Sequence, residues 1–199
     1  MLGHRRCGLD DKLAHMSDLR LAALRLEPVV VSYDVIDGNI TRHPQQHFLD
    51  LVVDGTSLRE RVEGGHDMVT ALCRTWDDAL VNEAVEVLLG RRGTSETDAP
   101  RVELLVCKLC GDVGCGTLTA RLTLTPSAVT WSNFLWEGSA TGAAPVEGIS
   151  EPFVFERDEY EAAFVNATER VAAFPYDELA HRGRRFLWPW QWGWRLPGP

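Results

Sequence analysis

From residue 101 onward, apolar and polar positions alternate with a period of two. In TLTARLTLT, residues 117–125, Leu118, Ala120, Leu122 and Leu124 fall on one side. Thr117, Thr119, Arg121, Thr123 and Thr125 fall on the other. That spacing predicts a strand with one buried face and one wet face. RVELLVC (101–107) and AVTWSNFLWE (128–137) also read as strands, and the short Pro126–Ser127 link suits a hairpin. Together the three predict an antiparallel meander. Upstream, EPVVVSYDVIDG (27–38) and HFLDLVVDG (47–55) read as β-branched or apolar strands, each closed by an Asp–Gly turn signal. PFVF (152–155) adds a short one.

Elsewhere the period lengthens to that of a helix. Ser57 and Glu60 fit a capping box that opens a short helix in TSLRERV. In TWDDALVNEAVEVLLGRRG (75–93), Leu80, Ala84, Val87 and Leu88 recur at helical spacing. Asp77 or Asp78 can cap it, Gly90 stops it, and Arg91 and Arg92 follow at the negative end of the dipole. In ERDEYEAAFVNATERVAAF (156–174), Tyr160, Ala163, Phe164, Ala167, Val171 and Phe174 line one face, and Pro175 ends the run. RRGTSETDAP (91–100) reads as a polar loop and GSATGAAPVEG (138–148) as a flexible one. Strands grouped beside separate helices define an α+β class: a meander of three to five strands packed with two or three helices.

Three regions follow from these patterns. Residues 1–15 lack periodicity and read as a disordered or mis-started extension, because Met16 opens a more natural beginning. Residues 16–180 form a single α+β domain, and 181–199 are a tail rich in Trp and Arg. The 199 residues, 45% hydrophobic, suffice for one real core. A net charge of −9 opposes binding to nucleic acid phosphates. No run of apolar residues is long enough to span a membrane as a helix, and no signal peptide is evident, so the expected compartment is the cytoplasm.

Three of the five cysteines fall in CKLCGDVGCG (107–116), between two predicted strands. A C-x-x-C-G turn at a hairpin suits a zinc knuckle, in which two thiolates converge and glycine lets backbone amides point at sulfur. Cys107, Cys110 and Cys115 are the candidate ligands. The fourth would be Asp112, Cys73, or one of His43, His47, His66 and His181. An iron–sulfur cluster would need a fourth ligand as well. A redox pair at Cys107 and Cys110 is the second reading. The thioredoxin version is disfavoured because GDVGCGTLT cannot be the helix that lowers the thiol pKa. An inert glycine-rich turn is the third, and an odd number of cysteines in a reducing compartment weakens a disulfide framework. Lys108 beside the pair favours thiolates only modestly.

LLVCKLCGDVGCGTLTARL, VTWSNFLWE and EPFVFERDEYEAAF together resemble a family of small, mainly actinobacterial proteins of uncharacterised function. The matching positions are Cys107, Cys110, Gly111, Asp112, Gly114, Cys115, Gly116, Val129, Trp131, Phe134, Phe153, Phe155 and Tyr160. The resemblance covers about 100–165, and more loosely LDLVVDG and LRERV. It implies a shared fold. Some members carry a loose oxidoreductase label, which carries weight only with chemistry behind it.

Other constellations add little. His43 and His47 flank Pro44 and read as loop residues. Asp77 and Asp78 are explained by capping, and the acidic start of 156–161 by the helix dipole. Trp131 is expected in the core and Trp136 at its rim. No P-loop, nucleophile elbow, dinucleotide loop or H-E-x-x-H is present. In the tail, Trp188, Trp190, Trp192 and Trp194 occupy alternate positions, with four arginines and no acid in 182–199. They would cover an open face of the domain, contact a protein partner or a membrane surface, or belong to a disordered tail. The resulting expectation is a cytosolic, non-enzymatic protein whose cysteine hairpin binds structural zinc. A thiol redox protein and a tail-based interaction module are the alternatives.

Overall fold

A computed structural model describes residues 20–37, 40–92, 101–109, 111, 115–138 and 142–177. The expected N-terminal extension (1–15), most of the 91–100 loop and the tail from 178 lie outside the described residues. The fold is broadly α+β. The strands β1 (Leu24–Ser32), β4 (Gln45–Val53) and β5 (Thr56–Ser57) form one antiparallel sheet in the order β1-β4-β5. The larger sheet has six strands: β6 (Met68–Val69), β7 (Arg101–Cys107), β8 (Thr117–Leu124), β9 (Ala128–Gly138), β10 (Gly142–Pro145) and β11 (Phe153–Glu156). A small hairpin, β2 (Val35–Asp37) with β3 (Ile40–Arg42), stands apart.

The meander over 101–138 is as the alternation predicts, but three to five strands undercounts it. β5 and β6 have two residues each, too few to show a period; β5 folds back on the end of β4, and β6 is held by long-range pairing with β7. β10 falls in the segment read as a flexible loop. Its Gly-Ala-Ala-Pro composition has no strand preference of its own, yet it pairs with Leu135–Gly138 at the end of β9. β11 pairs with the opposite half of the same edge, at Ala128–Trp131.

Two bulges bend the sheet. Leu104 is an extra residue in β7, so Leu104 and Leu105 are both buried. In β9, Asn133 adopts a left-handed conformation where the register with β8 shifts. The expected wet face of β8 is only half wet: Thr117 and Thr119 are buried, whereas Arg121 and Thr123 are exposed. Thr119 Oγ1 accepts from Arg101, whose side chain lies over it (2.6 Å).

Helix α1 (Leu58–Arg61) begins at Ser57, whose hydroxyl accepts from Arg59 N–H. Helix α2 (Asp78–Leu88) begins at Asp77, whose carboxylate accepts from Leu80 N–H at 2.9 Å. Gly90, at φ +66°, turns the chain away. The helix predicted over 156–174 is two: α3 (Arg157–Ala163) and α4 (Ala167–Ala172), broken at left-handed Asn166. The apolar period runs on because both pieces face one core, where Tyr160, Phe164, Ala167 and Val171 are buried.

That core joins one face of the larger sheet, β1, β4 and the helices. Trp131 is fully buried at its centre, and its indole N–H donates to Tyr160 Oη (3.2 Å). The Tyr160 hydroxyl donates in turn to the Leu88 carbonyl at the end of α2 (2.8 Å). Burial pushes the Tyr160 phenol far above its ordinary pKa, so it stays a donor. Trp136 is half-buried at the rim. A second, smaller cluster of Phe48, Val69, Cys73 and Val106 lies between β4 and the opposite side of β7.

Candidate functional site

The cysteine hairpin grows out of β7 and β8. Val106 pairs with Thr117, the last pair of the β7–β8 ladder before the hairpin. Cys107 is half-buried and pairs with Met68 of β6, while Cys115 is exposed. Gly111 N–H donates to the Cys107 carbonyl at 2.9 Å, closing a tight turn over the C-x-x-C-G segment. Gly111 is at φ +64°, and a Cβ there would lie 2.0 Å from the Trp76 ring. Backbone conformation and indole packing therefore both demand glycine. Cys110 and Asp112 lie outside the described residues.

The root of the hairpin is tied down. The Lys108 carbonyl accepts from Gln46 Nε2 (2.7 Å), and its ammonium lies 2.6 Å from Asp67. That hydrogen bond and charge hold the Asp67 carboxyl below its ordinary pKa. The ammonium thus serves Asp67, which limits the help it gives a neighbouring thiolate.

The structure separates the remaining candidates. Cys73 is fully buried in the smaller cluster, its sulfur 3.1 Å from Thr75 Oγ1. Among the described residues, no three of His, Cys, Asp and Glu come together as a metal-holding group, so Cys73, Cys107 and Cys115 do not converge. His43 is exposed and bonded to Asp34 (2.8 Å), and His47 lies against Phe174. The His66 carbonyl accepts from Arg59 (2.9 Å). His181, Trp188, Trp190, Trp192 and Trp194 lie outside the described residues.

Two features escaped the pattern reading. The first is a buried carboxyl, Asp50, with a buried guanidinium, Arg59, nearby. Asp50 is 2% exposed and accepts from Ser57 Oγ (2.6 Å) and Leu51 N–H (3.0 Å). Desolvation raises its pKa despite those bonds and the nearby Arg59. Arg59 donates from Nε to the Met68 carbonyl (2.7 Å) and lies over the Phe48 ring. The signal was present: a lone acid interrupts the apolar run HFLDLVV.

The second is a groove of about 400 Å³ between α2 and β7. Trp76 and Gly111 close one end, so the cysteine turn is part of its wall. Leu80, Ala84 and Val87 form the α2 flank, with Glu83, Arg101 and Glu103 on the rim. Arg101 is paired with Glu137 (3.3 Å). Partial burial, and then the charge of Glu137, raise the Glu103 carboxyl pKa.

Comparison with protein-family models, with curated proteins and with solved structures finds no match to this chain. Among the described residues, no helix is long and apolar enough to cross a membrane.

Proposed function

We propose that this is a non-enzymatic cytosolic protein in which Cys107, Cys110 and Cys115 hold one zinc ion at the tip of the β7–β8 hairpin. The observation that carries the reading is the 2.9 Å bond from Gly111 N–H to the Cys107 carbonyl. That bond curls a C-x-x-C-G segment back on itself, as a thiolate knuckle requires. The β7–β8 pairing supports it, because it brings the chain back beside Val106 at Thr117, two residues after Cys115. Asp112 is the fourth ligand in this reading, since Cys73 is engaged with Thr75. Bound zinc would neutralise the thiolates and cross-link the hairpin. A shell filled by protein ligands leaves no open position for chemistry. The resemblance of 100–165 to the small bacterial proteins with C-x-x-C-G-D-x-G-C-G is consistent with a shared structural role for the motif.

The test is metal quantification on protein purified with its thiols reduced. One zinc per chain is expected, lost in Cys107→Ser and Cys115→Ser variants, and chelation should lower the unfolding temperature. Absence of metal, with two thiols that titrate as a reversible pair, would replace this reading with the redox one. Zinc retained by both serine variants would place the ion elsewhere.

A further inference from the structure

The groove between α2 and β7 is bounded by a strand edge that no neighbour among the described residues fills. β6 meets β7 only at Met68 and Val69, opposite Cys107 and Val106. From Arg101 to Leu105 that edge carries no strand among the described residues. Beside it the α2 flank is apolar, and Leu80 is 52% exposed. Such an edge beside an apolar wall is a template for an added strand.

We propose that the occupant is this chain's own segment 186–195, FLWPWQWGWR, laid along β7 as an extra strand. Three observations point to it. The first is where the described chain ends. Tyr176 lies against Arg74 (5.2 Å), and Arg74 pairs with Asp78 at the start of α2 (3.6 Å). Asp177 accepts from the Gln45 amide. The chain therefore departs at the Trp76 end of the groove, and the nine residues to Phe186 reach up to about 30 Å.

The second is fit. Trp188 to Trp194 extended spans about 20 Å, against about 16 Å for the eleven residues of α2. In an antiparallel strand, alternate residues turn their N–H and C=O groups toward one neighbour. Pro189 has no N–H and must face away from β7. That register gives the backbone bonds to the even-numbered residues and puts all four tryptophans on one side, against the α2 flank.

The third is charge. Glu83 has Arg92 as a partner (3.4 Å), but Glu103 has no cation of its own among the described residues and sits near Glu137. The tail brings Arg184, Arg185 and Arg195 and no acid. The proposal does not depend on zinc.

Hydrogen exchange on the full chain tests it. Amides of 186–195 should exchange at least about tenfold more slowly than in a free peptide of that sequence, a factor worth about 1.4 kcal/mol. Leu80→Lys with Glu103→Arg should abolish that protection and leave β8 and β9 protected. As an independent readout, ending the chain after Arg185 should speed exchange at 101–105 with β9 unchanged. The proposal is overturned if the tail exchanges like the free peptide, or if neither change alters its counterpart. Protection that disappears on dilution as a dimer dissociates would assign the groove to a second copy's tail and overturn docking within one chain.

Discussion

Gly111→Ala should cost far more than a surface loop substitution. The glycine adopts φ +64°, and a methyl group would lie 2.0 Å from the Trp76 ring. A non-glycine residue in the left-handed region costs about 1–2 kcal/mol. Forcing an extra methyl into a packed contact adds about 1–3 kcal/mol. The expected loss is therefore about 2–5 kcal/mol, large for a residue outside any strand or helix. Urea unfolding followed by circular dichroism measures it, with the slope checked for constancy. The two contributions separate in a double-mutant cycle. In a Trp76→Leu background the steric part is relieved, and Gly111→Ala should cost only about 1–2 kcal/mol. The coupling between the two positions should be about 1–3 kcal/mol. Equal penalties in both backgrounds would refute the contact between turn and indole. With it would go the claim that the cysteine turn forms the wall of the groove.

Tyr160→Phe removes the hydroxyl between Trp131 and the Leu88 carbonyl and should destabilise by about 1–3 kcal/mol, read as a fall in thermal midpoint. Asp77→Ala removes the α2 cap and should cost about 1 kcal/mol by chemical denaturation. Asp50 has its pKa raised in the fold. Its protonated form therefore stabilises the native state fully below pH 3.8, the ordinary value, and that contribution is lost as pH rises through the native pKa. Asp50→Asn removes the loss, so its stability relative to wild type should improve between pH 3.5 and 7 in parallel denaturation series. A constant difference would contradict the desolvation argument.

The residues that announce themselves in the sequence act locally. Asp77 caps α2 and Gly90 stops it because both effects need only a few neighbouring residues. β8 and β9 sit where the period-two alternation puts them because one face meets the core. What was not legible depends on distant partners. Gly142–Pro145 becomes a strand only because β9 offers an edge, and Asn166 breaks a helix whose apolar period runs on through the break. Thr117 and Thr119 are buried because Arg101 and the Phe48 cluster cover a face that alternation marks as wet. The place of the cysteine motif between two strands was readable. The contact of Gly111 with Trp76 was not, since it joins segments 35 residues apart in the numbering and leaves no local pattern. The groove has the same origin, with its walls coming from α2 and β7.

The small sheet is completed by the far end of the chain. Leu21 bridges to Val154, the Leu26 carbonyl accepts from Arg170, and the Gln45 amide donates to Asp177. On a ribosome, β1 and β4 can pair early, but these ties must wait until α4 and Asp177 have emerged. At roughly 5–20 residues per second, the wait from β4 to Asp177 is several seconds or more. During that interval the apolar faces of β1 and β4 lack their final cover. Contacts this distant also slow folding from the denatured state. Truncation anywhere before Arg170 would therefore leave the N-terminal hairpin, and not only the missing helix, as the aggregation-prone part.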